Sequence, residues 1–316
     1  MKKYYDVVVA GELNVDIILN RINQFPVMGK EVVAEEMTIT LGSSSAIFAS
    51  NLSVLGTTVA FAGTLARDQF GELIINTLQS KDVVTKHIVY TTERSTGATV
   101  ALSFGEDRAM VTYPGAMSLF SIEDIPETIL SATRHLHVSS IFLSSGLRKD
   151  VHKLFRQAKA LGLTTSLDPQ WDPEERWDID FRSLLKDVDV FIPNENELQA
   201  LTGAAETAAA VEMMREYANI LIVKKGREGV SLYHGDERIH QPAFLNREVV
   251  DSIGAGDSFG AGFVHRFIQG KDVRECLEFG ALIGAINTTR AGGITAFENL
   301  DKVKAIAESL FNYKIT

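Results

Sequence analysis

Four places in this chain combine residue types and spacings that suit chemistry. In the stretch VVDSIGAGDSFGAGF, Val249 to Phe263, Gly254, Ala255 and Gly256 precede apolar residues Phe259, Phe263 and Phe267 that recur every four positions, the spacing of one helix face. The glycine turn therefore stands at a helix N-terminus, where unpaired amides and the aligned peptide dipoles attract an anion. Glycine leaves no Cβ between the backbone and an approaching phosphate. Asp257 follows directly, placed to take a proton from an alcohol attacking that phosphate. An ordinary aspartate, with a pKa of about 3.9, is ionised at neutral pH and ready to do so. Acidic residues also favour first helical turns for structural reasons, so on these residues alone Asp257 and Ser258 read equally well as helix starters.

Asn194 and Glu197 form the second place. A carboxylate just past a strand end suits a hard cation and its water shell, and the same spacing is a helix capping box; both readings stand. Asn14 and Asp16 follow the first apolar run, where an amide and a carboxylate can fix hydroxyl groups. Asp168 ends the run TTSLD on the same expected edge. Better-known phosphate loops are absent: the Gly-Lys pairs Gly29-Lys30 and Gly270-Lys271 precede Glu31 and Asp272 rather than Ser or Thr, and Gly254, Gly256 and Gly260 have the wrong spacing and lie too late for a dinucleotide fingerprint. His135 and His137 share one side of a predicted strand, but no nearby ligand completes a zinc set, and buried core histidines are the better reading. Trp171 and Trp177 suit either a stacked ligand or a packed surface loop.

The elements that must position these residues alternate. YDVVVAGE reads as a fully buried parallel strand. Short alternating segments follow, DIILNRINQF and KEVVAEEMTITL, and a second patch runs from HIVYTT to MVTYPG as hairpins with SFGEDRAM at the turn. Between them lie the helix SSSAIFASNLSVLG, the strand TTVAFAG and the helix DQFGELIINTLQS; beyond Ser121, strands and helices alternate regularly. This pattern predicts an α/β domain, a parallel sheet with helices on both faces, with the two alternating patches, about 16–40 and 87–115, forming a small β-sheet lid.

The bulk composition agrees. In 316 residues, 45% are hydrophobic and 23% charged, ordinary globular values, and no linker divides the chain, so residues 1–316 form a single domain. The net charge of −10 argues against nucleic-acid and anionic-membrane partners, which need a basic face, and favours a small-molecule substrate. The lone Cys276 forms no internal disulfide and points to the reducing cytoplasm. The N-terminal apolar run is too short for a signal peptide or membrane span.

DSIGAGDSFGAGF resembles the DTxGAGD signature of the ribokinase-like, or phosphofructokinase B, family of carbohydrate and nucleoside kinases, with Ser252 in place of the usual Thr. The resemblance continues in the family's order through GELNVD, LGSSSAIFASNLSVLG, AGTLARDQFG, PNENE and VKKGREG. It implies a three-layer α/β/α sandwich with a mostly parallel central sheet, and an ATP-dependent kinase that phosphorylates a hydroxymethyl group of a sugar or nucleoside. Asp257 would be the general base and Gly254, Ala255 and Gly256 the anion hole. Asn14, Asp16, Gly42, Ser43, Arg108 and Asp168 would meet the substrate. Asn194, Lys225, Gly226, Gly229 and Asn287 would border ATP, Glu197 would hold Mg2+ through water, and Asp251 and Ser252 would hold K+.

One departure bears on the substrate. Where many members carry GGxxxN, this chain has Leu41, Gly42, Ser43, Ser44, Ser45 and Ala46, without the usual Asn. A catalytically silent sugar or nucleotide sensor on the same fold is the alternative. The exposed edges of the lid strands invite strand addition, and so a homodimer formed through the lid.

Overall fold

The structure, a computed structural model, describes residues 3–104 and 107–315, without the side chains of residues 107 and 108. Its first strand, β1 (Tyr5–Ala10), has Val7, Val8, Val9 and Ala10 all fully buried, as β-branched residues should be in a sheet covered on both faces. In chain order there follow β2 (Asn14–Ile22), β3 (Ala34–Leu41), β4 (Val59–Ala66), β5 (Val84–Thr91), β6 (Gly97–Phe104), β7 (Asp107–Tyr113) and β8 (Thr133–Ser139). After them come β9 (Thr164–Asp168), β10 (Val190–Phe191), β11 (Ile220–Lys224), β12 (Val230–His234) and β13 (Glu237–Gln241). The helices are α1 (Ser44–Val54), α2 (Gln69–Ser80), α3 (Glu127–Ser131), α4 (Ser145–Arg148), α5 (Val151–Ala160), α6 (Phe181–Leu184), α7 (Glu195–Thr202), α8 (Thr207–Arg215), α9 (Ala255–Phe267), α10 (Val273–Asn287) and α11 (Leu300–Phe311).

Nine strands form one sheet in the order β13-β12-β11-β10-β9-β8-β1-β4-β5, parallel except for the β11-β12-β13 edge. Alternate residues of β1 feed two cores. Val8 and Ala10 join Leu154, Phe155 and Ala158 of α5, whereas Val7 and Val9 join Phe48 of α1, Phe263 of α9 and Leu277 of α10. Helices thus cover both faces, the three-layer sandwich expected from the alternation. Because β1 lies beside both β4 and β8, the chain winds outward in both directions from it. The crevice beyond the carboxyl ends of the strands at such a switch point is where ligands bind in open α/β sheets.

A second, smaller sheet, β3-β2-β6-β7, is built from the segments expected to form the lid. Its registers separate two faces. Ile17 lies opposite Ile39 and Val100, and Val100 opposite Val111, giving an apolar face; Asp16 lies opposite Thr40 and Thr99, and Thr99 opposite Thr112, giving a polar one. The expected lid boundary is corrected at one point: residues 87–91 belong to β5, which pairs in parallel with β4 in the large sheet. An edge strand is half exposed and shows the same alternation as a lid strand, so periodicity did not separate the two. The VVD run before the glycine turn forms no strand, and part of the expected SFGEDRAM turn lies outside the described residues.

His135 and His137 are buried in β8 and share Ser166: His135 Nε2 and His137 Nδ1 both lie 2.7 Å from its Oγ. Burial pushes both imidazoles below their ordinary pKa. They are core residues. Among the described residues no helix is long and apolar enough to cross a membrane.

Candidate active site

Gly254 adopts a left-handed conformation, φ 75°, and caps α9. A Cβ there would stand 2.7 Å from Gly293 Cα, so both the backbone angle and the close approach of the 290–293 loop call for glycine. In the first turn, the Ala255 amide bonds to Ser252 O at 3.2 Å and the Ser258 amide to Gly254 O at 2.8 Å. That leaves the amides of Gly256 and Asp257 as the helix-end donors among the described residues. Asp251 staples the approach: its two carboxylate oxygens accept from Ile253 N and Gly292 N, each at 2.9 Å.

Asn287, expected on the nucleotide, is fully buried. Its amide donates to Ile253 O at 2.6 Å and its oxygen accepts from Ser258 Oγ at 3.0 Å. Asn51 supports the same knot from α1, donating to Ser258 Oγ and Gly293 O, both at 2.9 Å. These side chains hold the glycine turn in shape from below.

Asp257 is 8% exposed, and its carboxyl is pushed up to about 7. Desolvation is the largest cause; Asp168 and Asp16 also raise it, while Lys224 and a hydrogen bond with Ser44 lower it. The expectation of an ordinary, fully ionised aspartate is therefore corrected: burial among like charges brings its titration to neutrality. Gln170 Nε2 donates to Asp257 Oδ1 at 3.1 Å. Gln170 has a left-handed backbone, φ 59°, which costs a non-glycine residue on the order of 1 kcal/mol or more and is typical of functional sites.

Asp168 and Lys224, the last residues of β9 and β11, meet beside Asp257: Lys224 Nζ lies 2.5 Å from Asp168 Oδ2. Burial raises the Asp168 carboxyl, and its Oδ1 has no hydrogen-bond partner. Neighbouring Asp168, Glu197 and Asp257 carboxylates hold the Lys224 ammonium above its ordinary pKa against the desolvation that opposes it. Lys224 was not among the residues expected from the sequence, and neither was Gln170.

Asn194 and Glu197 make the complete capping box of α7: Glu197 N donates to Asn194 Oδ1 at 2.9 Å, while Asn194 N and Nδ2 donate to Glu197 Oε2 and Oε1 at 2.8 and 2.6 Å. Burial, with Asp168 and Asp257 nearby, pushes Glu197 to about 7, so its structural role does not remove it from the charge cluster. Lys225 points away from that cluster, 3.6 Å from Glu195. Gly226 and Gly229 shape the turn into β12; at Gly229, φ 103°, a Cβ would stand 2.1 Å from Gln241 O.

On the lid side, Asn14 Nδ2 donates to Thr99 Oγ1 at 2.8 Å and Asp16 Oδ1 at 3.3 Å. Gly42 leaves room for Asp16, since a Cβ there would be 2.3 Å from Asp16 Oδ1. Ser43 donates to Glu12 O at 2.6 Å and caps α1 through Ala46 N at 3.0 Å. The structure thus brings Asn14, Asp16 and Gly42 together at the start of the lid, with Asp16 close enough to raise the Asp257 pKa. The Arg108 side chain lies outside the described residues. Trp171 and Trp177 pack edge to face at 5.1 Å.

Behind this edge, Glu12 is buried with Ser45: the serine's amide donates to Oε1 at 3.2 Å and its hydroxyl to Oε2 at 2.5 Å. Ser45 Oγ also lies 2.8 Å from Ser139 Oγ. Desolvation pushes Glu12 to about 8.

A glycine turn at a helix N-terminus, the buried Asp257 carboxyl beside it and the polar face of the second sheet form an arrangement suited to an alcohol and a phosphate. The chain matches the pfkB family carbohydrate kinases over residues 5–300. It belongs to that family and is a carbohydrate or nucleoside kinase. It is 27% identical to the deoxyribokinase of Salmonella typhi, covering 94% of this chain and 97% of that one, and 27% identical to an uncharacterized sugar kinase of Archaeoglobus fulgidus, covering 74% and 92%. A putative ribokinase II from E. coli, solved in complex with ATP and Mg2+, superposes with a TM-score of 0.83 at 25% identity, over 95% of this chain and 98% of that one.

Proposed function

We propose that this ATP-dependent kinase transfers the γ-phosphoryl group to a hydroxymethyl group of a sugar or nucleoside, with Asp257 as general base and the 254–256 turn as the anion hole. The observation that carries this reading is the placement of a buried carboxyl, held by Gln170, in the same helical turn as two helix-end amides. As the alcohol oxygen bonds to phosphorus, its proton passes to Asp257. The bond from phosphorus to the bridging oxygen breaks, and its electron pair leaves with ADP. The open amides of Gly256 and Asp257 meet the charge on the transferring group without reorganising.

Among the described residues no three His, Cys, Asp or Glu side chains cluster as a metal cage. Mg2+ takes phosphate and water as most of its ligands in nucleotide sites, and the buried Glu197 carboxyl, with further carboxyls nearby, is the hard-oxygen setting that suits such an ion. Bound there, Mg2+ would neutralise charge on the phosphates, with Glu197 reaching it through water. In this reading Asn194, Lys225, Gly226 and Gly229 border the nucleotide, Asn14, Asp16, Gly42, Ser43, Arg108 and Asp168 line the acceptor side, and Asp251 and Ser252 border a K+ ion. Asn287 contributes by holding the turn.

The reading includes a cytoplasmic homodimer. Met37, Ile39 and Val111, all on the apolar lid face, are 63%, 41% and 69% exposed, a surface that a second lid would cover. A monomeric mass at micromolar concentration would remove the dimer from the reading.

ADP release measured with ATP, Mg2+ and a panel of sugars and nucleosides tests the activity, with K+ replaced by a large organic cation in a parallel series. Sustained, acceptor-dependent ADP release is expected. Binding of sugar and ATP without turnover would instead make the chain a sensor.

A further inference from the structure

We propose that Lys224 is a catalytic residue, whose ammonium group leaves Asp168 for the γ-phosphoryl group when a nucleoside triphosphate enters the 254–256 cradle. The proposal rests on the kinase reading above and adds to it a donor that neither the sequence motifs nor the family match assigns.

Three observations carry it. The first is position. Lys224 ends β11, its amide bonds to Pro193 O at 2.9 Å, and its backbone bridges to Asn194, so its Cα is fixed at the carboxyl edge of the sheet. A Cβ at Gly256 would stand 3.4 Å from Lys224 Nζ; the ammonium therefore already lies against the last residue of the 254–256 cradle. Its side chain is largely enclosed, 14% exposed. Its sequence neighbour Lys225, just past the strand end, lies instead 3.6 Å from Glu195.

The second observation concerns charge. One ammonium serves three carboxyls, Asp168, Glu197 and Asp257, and among the described residues its direct partner is Asp168. Among the described residues Asp168 retains one buried oxygen without a hydrogen-bond partner of good geometry, so the pair is not closed on itself. Buried ion pairs that serve only the fold complete their hydrogen bonds.

The third observation is a count of donors. Charge in the transition state spreads over three equatorial phosphoryl oxygens. The first turn of α9 offers the amides of Gly256 and Asp257, since Ala255 and Ser258 bond within the turn. A flexible four-carbon stem beside the cradle supplies a third, charged donor through side-chain torsions, with no backbone movement. No covalent bond forms or breaks at Lys224. It contributes electrostatic stabilisation, of the kind that costs about 10² to 10³ in kcat when a donor is removed.

Calorimetric titration of ATP and ADP in the presence of Mg2+ tests this, with kcat measured alongside. In Lys224→Met, ATP affinity should fall at least tenfold more than ADP affinity, and kcat should fall about a hundredfold or more. Because removing the cation can unfold an acidic cluster, the charge-balanced double variant Asp168→Asn/Lys224→Met is measured as well. It should fold and show the same loss of ATP over ADP. If the double variant regains wild-type ATP preference and turnover, Lys224 only neutralises Asp168 and the proposal is overturned. Equal losses for ATP and ADP in both variants also overturn it. A wild-type protein that neither binds ATP nor releases ADP with any acceptor would overturn the kinase reading itself, and this proposal with it.

Discussion

Two buried acidic sites lie at the same edge of the large sheet, and they are solvated differently. Glu12, 1% exposed, is met by the Ser45 amide and hydroxyl; desolvation is the largest influence on its pKa, and the causes that oppose it are hydrogen bonds, without a cation. Asp257, also buried, has Lys224 pulling its pKa down and Asp168 pushing it up. The first settles at about 8 and the second at about 7. Desolvation is the largest cause of both rises, which are similar in size; at Glu12 only neutral hydrogen bonds oppose it, whereas at Asp257 the Lys224 ammonium also does, against the push of Asp168. The first site suits a structural role, and the second suits work as a base.

The largest way to break this contrast is Asp257→Asn. Without a proton acceptor, phosphoryl transfer should fall at least about a hundredfold, as measured by ADP release, while circular dichroism remains native. The amide keeps a polar group beside Gln170. Near-wild-type turnover would remove Asp257 from the mechanism.

The second effect follows from the value itself. With the base titrating at about 7, kcat/KM should climb as pH rises through neutrality, since only the ionised form accepts a proton. At pH 5.5 the rate should lie about thirtyfold below its alkaline plateau. A profile flat from pH 5 to 8 would mean that the base titrates near 4, with the like charges around it ineffective.

Much of this arrangement was legible in the sequence, and the missing parts share a cause. The β1 run, the capped α1 and the glycine turn announce themselves through local periodicity and backbone demands, such as the positive φ at Gly254. The NxxE spacing was ambiguous because a capping box and a site carboxylate use the same residues, and in the fold Glu197 does form the box. Lys224 and Lys225 are neighbours, so deciding which faces inward required knowing which strand face meets α9. Gln170 reaches an aspartate 87 positions away, beyond any local pattern. Glu12 did leave a signal: a carboxylate two residues past the buried end of β1, with serines in GSSSA able to meet it.

Gln170→Leu sharpens the contrast at a smaller scale. Losing the amide that fixes Asp257 Oδ1 should lower kcat about tenfold with little change in KM, because positioning of the base matters chiefly in the transition state. The acid limb should also move to higher pH, since a donor to the charged form is gone. An unchanged limb accompanied by a raised KM would place Gln170 on substrate rather than on the base.

The smallest effect on rate is expected at the other acidic site. Glu12→Gln should leave turnover within about threefold, because an amide reproduces a carboxyl that is already protonated. Its consequence lies in stability. The folded pKa of about 8 stands above the ordinary 4.5, so the folded state holds this proton more tightly than the unfolded chain does. The stabilisation is complete below the unfolded value and disappears as pH rises through about 8. Wild-type melting temperature should therefore fall between pH 6 and pH 9, and Glu12→Gln should flatten that fall while Asp257 still contributes its own share. His135 and His265, held down to about 3 and 4, act in the opposite sense, losing their contribution as pH drops below 6.5, and should be untouched by the substitution. A variant whose alkaline slope matches the wild type would mean that Glu12 ionises in place, and its solvation by serines would then be no different in kind from that of Asp257.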